Sequence, residues 1–177
     1  MLESAIQHNP AVEYFHSSRI YIDDDGRQIR ARQAREWASL QEFTRRGPVK
    51  SLHCFKVQAA LAIGGMDETL GPHAADDYDF SWCMAEAGAR FQAIPEYLYA
   101  VRDHRRHARL TTHVPLDTQV SELVKILRKH RMTDEAIHAE VRRRTAGYMR
   151  QALYLSDADK QAKERNGYDI RSGWREG

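Results

Sequence analysis

The hydrophobic periodicity of this chain changes once, at Pro115. Before it, short apolar runs of strand length alternate with short helix-forming runs. After it, apolar residues recur at helical spacing, first Val120, Leu123, Val124 and Leu127, then Ile137, Val141, Thr145, Tyr148, Ala152 and Leu155. The pattern predicts an α/β body to about Thr112 followed by a helical tail, divided as residues 1–115 and 116–177.

At 177 residues the chain fits about one domain of ordinary size, and 42% hydrophobic with 29% charged residues sets aside disordered, collagen-like and coiled-coil classes. No window approaches the roughly 20 apolar residues that span a bilayer, and residues 1–10 lack the basic-then-apolar layout of a secretory signal, so a cytoplasmic protein is expected. Two cysteines, Cys54 and Cys83, are too few for a disulfide framework and are expected as reduced core residues. Residues 120–177 hold 13 Lys and Arg against 9 Asp and Glu, while the first 119 hold 14 against 16. So mild a balance does not indicate nucleic acid, which calls for a dense basic face; it suits a weak attraction to anionic substrates or peripheral contact with a membrane surface.

Two strand-like runs, 12–16 and 19–22, come first, the second closed by Asp23-Asp24-Asp25-Gly26, a strong turn signal. Residues 32–46 predict a helix, with Ala34, Trp37, Leu40 and Gln41 on one face and Gly47-Pro48 as its stop. A strand over 49–55 and a small apolar helix over 57–63, ended by Gly64-Gly65, follow. Residues 77–87 predict a helix with carboxylates in its first turn and Gly88 at its end, and 90–94 and 97–101 predict strands on either side of Pro95-Glu96. In the tail, Thr133 is a candidate N-cap for the second helix, and a third is expected from Ser156 to about Asn166.

Five pieces then occur in order within roughly forty residues: Gly64-Gly65-Met66-Asp67-Glu68; Asp76-Asp77-Tyr78-Asp79; Ala85-Glu86-Ala87-Gly88; Ile94-Pro95-Glu96; and Arg102-Asp103-His104. In this order the region resembles the acceptor-side half of the inverting, GT-A-fold family-two glycosyltransferases. The hairpin at 21–27 resembles the one that precedes this region in the family, so the resemblance covers about residues 12–112. It implies a partial GT-A-like mixed sheet with flanking helices.

The resemblance puts the general base on Asp77. A sugar hydroxyl is a poor nucleophile, and a carboxylate that takes its proton in the transition state helps it attack an anomeric carbon. Asp76 stands where the family usually has Glu, and Asp79 is expected to orient the base or bind acceptor hydroxyls; the ordinary role of all three is to cap a helix. His104 falls on a histidine that helps to hold the donor's metal and diphosphate, which implies Mn²⁺ or Mg²⁺ for the complete enzyme, against the plainer role of a surface histidine in the basic loop 102–109. Arg102 belongs to the same motif and is expected at the substrate. His104 and His107 as half a zinc site lack a third ligand. Asp23-x-Asp25 could be taken for a metal motif, although a hairpin turn favours Asp for backbone reasons alone. Tyr78 and Trp82 have two possible uses, a stacking surface for a sugar ring or helix packing. Gly64 and Gly65 end a helix, and their backbone is a candidate wall of the substrate pocket. The run 142–144, three arginines, has the pattern of a solvated face, with membrane attachment the sharper alternative.

Only some ten residues precede the first predicted strand, whereas a complete GT-A enzyme opens with a nucleotide-binding half. The expectation is therefore an acceptor-side half, acting on a nucleotide-sugar donor and a glycan or lipid-linked acceptor. A half sheet leaves an edge unpaired, which implies a homo-oligomer or a complementing chain. The competing function is a non-catalytic glycan-binding or assembly module; nucleic-acid binding through 102–109 and the tail is weaker.

Overall fold

The computed structural model describes residues 1–37, 39–46, 52–71, 76–102 and 115–152. The chain is mixed α/β and divides into two compact units, residues 1–68 with 76–103 and residues 69–75 with 104–177.

The first unit is built on β1 (Tyr14–Ile22), which pairs along one edge, over its whole length, with its parallel neighbour β4 (Phe91–Arg102). Its other edge is shared: Tyr14 and Phe15 pair antiparallel with β3 (Cys54–Phe55), and Arg19 to Ile22 pair antiparallel with β2 (Gln28–Arg32). Five consecutive buried residues, Tyr14 to Ser18, mark β1 as a strand covered on both faces. The two strands predicted at 12–16 and 19–22 are thus one. Ser17 and Ser18, which read as a break, are buried and satisfied: Ser17 Oγ donates to the Ser18 carbonyl at 3.0 Å, and Ser18 Oγ accepts the Ala34 N–H at 2.9 Å. The strands predicted at 90–94 and 97–101 also merge into β4. Ser17 pairs with Ile94 and Ser18 with Tyr97, so Pro95 and Glu96 bulge out of the ladder, where a missing N–H does no harm.

The hairpin at Asp25-Gly26 forms as expected. Asp23 Oδ1 accepts the N–H groups of Asp25 and Arg27 at 3.0 and 2.8 Å, and Gly26 has φ +83°. The helix expected over 32–46 is corrected: β2 runs to Arg32, and the helix α2 is Leu40–Arg46, started by Ser39, whose Oγ accepts the Glu42 N–H at 3.2 Å. Trp37 lies ahead of it, packed at 4.9 Å on Phe91 and 4.7 Å on Phe43. A helix that the sequence pattern does not predict, α1 (Leu2–His8), buries none of its residues. Helices α3 (Val57–Ala62) and α4 (Asp76–Glu86) stand close to expectation. The core gathers Tyr14, Ala60, Phe80 and Met84, with Phe55, Phe91 and Trp37 packed against them; Tyr14 stacks 4.5 Å from Phe91. Cys54 and Cys83 are free, as expected, but half-buried rather than core residues.

In the second unit, α5 (Leu116–Lys129) and α6 (Asp134–Ala152) pack on one another through a short connection. Helix α5 buries Leu116, Gln119, Leu123, Ile126 and Leu127, so the stripe is rotated from the one read as Val120, Leu123, Val124 and Leu127. Thr133 does cap α6, its Oγ1 accepting the Ala136 N–H at 3.3 Å. Glu140 is buried and gripped by Arg143 (Nε at 2.7 Å, Nη2 at 2.5 Å) and Arg144 (Nε at 2.8 Å). The arginine run is therefore no simple solvated face: the Arg144 side chain is 12% exposed. Burial raises the Glu140 pKa, but the hydrogen bonds from Arg143 and Arg144 outweigh it and hold the carboxyl below its ordinary value. Among the described residues no helix is long and apolar enough to cross a membrane. The 49–51 part of the predicted strand, the stop at 47–48, the side chains of Tyr148 and Ala152, Leu155 and the third tail helix lie outside the described residues.

Candidate functional site

Three carboxylates open α4, where the unpaired N–H groups of a helix favour negative charge. Asp76 Oδ1 accepts the N–H of Asp77 at 2.9 Å. The Asp77 side chain is 56% exposed, and its Oδ2 faces Nε2 of His53 at 3.9 Å. On its other side, His53 Nδ1 is hydrogen-bonded to the hydroxyl of Tyr14, and the two rings meet edge to face at 6.0 Å. The chain Tyr14, His53, Asp77 runs from the buried start of the central strand, across the residue before β3, to the first turn of α4.

The electrostatics follow from that gradient of exposure. Burial, then the neighbouring Asp77 charge, push the Tyr14 phenol far above its ordinary range, so it stays protonated. Burial lowers the His53 pKa against the upward pull of Asp77 and Asp76, leaving the imidazole neutral at pH 7. His16, two residues along β1, is lowered to about 4 by burial and then by His53, and it stacks at 5.2 Å on Trp37. The arrangement therefore offers the exposed carboxylate of Asp77, with that of Asp76 beside it, backed by a neutral imidazole and a phenol.

The other residues singled out in the sequence do not gather here. Asp79 is two residues past Asp77, about 200° around the helix. It is 1% exposed, and Cys83 Sγ donates to its Oδ2 at 3.8 Å. Tyr78 and Trp82 are buried, with ring centroids 5.3 Å apart, which is the packing use and not an open stacking surface. Arg102 Nη1 donates to the carbonyls of Asp23 and Asp24 at 2.9 and 3.0 Å, tying β4 to the hairpin turn. Gly64 and Gly65, at φ +84° and +78°, close α3 through Gly64 N–H to Leu61 and Gly65 N–H to Ala60. The Asp23-x-Asp25 motif serves its turn: Asp23 Oδ1 holds two N–H groups of the hairpin, the backbone use that favours Asp at such a position. His104 and the rest of the 103–109 loop lie outside the described residues.

His53 is the residue that sequence reasoning missed. Its only local signal is a histidine flanking a short apolar run, and its partners come from distant elements, so no spacing rule reaches it. Compared with known proteins, the chain matches no protein-family model, and no curated protein matches it in sequence.

Proposed function

We propose that this chain is the acceptor-side part of an inverting glycosyltransferase of GT-A type, with Asp77 as general base. The observation that carries the reading is an exposed carboxylate in the first turn of α4, backed by His53 at 3.9 Å, within the ordered series of motifs from Gly64 to Arg102. The acceptor hydroxyl oxygen attacks the anomeric carbon of a nucleotide-sugar, the bond from that carbon to the diphosphate oxygen breaks, and the hydroxyl proton passes to Asp77. Attack from the face opposite the leaving diphosphate inverts the anomeric centre. A divalent cation, Mn²⁺ or Mg²⁺, would neutralise that diphosphate in the complete enzyme; its candidate ligand His104 is outside the described residues. A glycan or lipid-linked alcohol is the acceptor, and a second copy or a complementing chain brings the nucleotide.

The test is sugar transfer from UDP- and GDP-sugars by the chain together with a nucleotide-binding partner, in the presence of Mn²⁺. Asp77→Asn is expected to lower turnover about a hundredfold or more with the fold intact by circular dichroism. Unchanged transfer in that variant removes the assignment. A second reading, a non-catalytic glycan-binding or assembly module, is favoured by the internal engagement of Tyr78, Trp82 and Arg102, the side chains that were candidates for the substrate. Nucleotide-sugar turnover that depends on Asp77 rules it out.

A further inference from the structure

Asp77 does not stand alone, and the group behind it has a defined orientation. Tyr14 is 0% exposed, its ring held between Phe91 at 4.5 Å and Phe55 at 5.8 Å, so its hydroxyl cannot swing to solvent. A buried O–H without an acceptor carries the full cost of its desolvation. Its hydrogen-bond partner among the described residues is Nδ1 of His53. The phenol must therefore donate, and Nδ1 must accept. A neutral imidazole that accepts at Nδ1 carries its proton on Nε2, the nitrogen that faces Asp77 Oδ2.

We infer that Tyr14 and His53 form a positioning pair for Asp77, the phenol fixing the Nε2–H tautomer and the imidazole aiming that N–H at one oxygen of the carboxylate. The inference rests on the proposed role of Asp77, and it adds two residues that act through it. At 3.9 Å the interaction is longer than a direct hydrogen bond, and the pull across it is that of an oriented N–H dipole on a carboxylate. It acts on Oδ2 of a side chain that is 56% exposed, and the acceptor proton is assigned to the other oxygen. His53 has no second free nitrogen, so it is not itself the base. The titratable groups that act on it are Tyr14 and His16 from β1 and Asp76 and Asp77 from α4.

The test is ¹⁵N NMR of the His53 ring in the full chain at pH 8, followed by a titration. The expected result is the Nε2–H tautomer in the wild type, and a mixture of tautomers in Tyr14→Phe, which keeps the packed ring and loses only the hydroxyl. Asp77→Asn is expected to shift the protonation midpoint of His53 downward, because it removes a charge that favours the imidazolium. An Nδ1–H tautomer in the wild type, a Tyr14→Phe spectrum with the ring unchanged, or a His53 midpoint indifferent to Asp77→Asn overturns the pair. None of these readouts needs activity. A pair that passes them in a chain whose transfer ignores Asp77 survives as geometry, and the glycosyltransferase reading alone fails.

Discussion

An imidazole that is 4% exposed and stacked on an indole is a poor place for a proton. His16 illustrates this: its Nε2 has no hydrogen-bond partner among the described residues, and its pKa falls from the ordinary 6.5 to about 4. Above pH 6.5 the ring is neutral in both folded and unfolded chains. Between 6.5 and about 4 the unfolded chain takes up a proton that the folded one refuses, so stability is lost as pH falls through that window. The full difference is worth about 3 kcal/mol. Urea unfolding midpoints are therefore expected to drop between pH 6.5 and 4, and to drop less in His16→Phe, which keeps a ring against Trp37 and leaves in place the contribution of His53, which has the same sign. Equal slopes in the two proteins would show that His16 titrates freely. At this scale Asp77 was legible because helix-start carboxylates are a local pattern. His53 and His16 were not, because their roles come from what the fold brings to them from elsewhere in the chain.

Three helices end with the same pair of backbone bonds. Helix α3 closes through Gly65 N–H to Ala60 and Gly64 to Leu61, α4 through Ala89 to Met84 and Gly88 to Ala85, and α5 through Met132 to Leu127 and Arg131 to Arg128. The first two put a glycine at the left-handed position; the third puts Arg131 there, at φ +55°. An L side chain in that conformation costs about 1–2 kcal/mol, so Arg131→Gly is expected to stabilise the chain by about 1 kcal/mol. Gly64→Ala is expected to cost a similar amount, and no atom lies within 4 Å of the added Cβ, so the cost is conformational alone. Chemical denaturation of both variants checks the pair, and opposite signs are the prediction. The glycine stops were readable from sequence for that reason. Helix α2 was misread because helix-forming composition runs back through residues 33–37, where tertiary demands won: Ala34 bonds to Ser18, and Trp37 is needed beside Phe91.

In the whole molecule, β1 is the strand everything in the first unit leans on. It is bonded on both edges, while all five residues of β2 are exposed. Within the first unit, amide exchange is expected to be slowest in Tyr14 to Ser18 and fast at the outer edge of β2. Comparable rates along the two strands would contradict the central placement of β1. Across this ribbon Arg19 faces Arg32, an unfavourable pairing, while Tyr21 receives the guanidinium groups of Arg19 and Arg30 at 4.9 and 3.8 Å on its ring. The α/β pattern and the helical tail were legible because periodicity survives tertiary folding. The unity of β1 and of β4 was not, since buried serines and a bulged proline look like punctuation. In β4 that punctuation has a further effect. From Ile94 to Tyr99 it runs three residues longer than β1 does from Ser17 to Arg19, and three is odd. Gln92 and Ile94 therefore share a side of the sheet with Phe15 and Ser17, while Tyr99 and Val101 share that side with Arg19 and Tyr21. The strand is one line to its hydrogen bonds and two to its side chains, like verse whose metre restarts at a pause, and any alternation counted straight through Pro95 exchanges one side for the other.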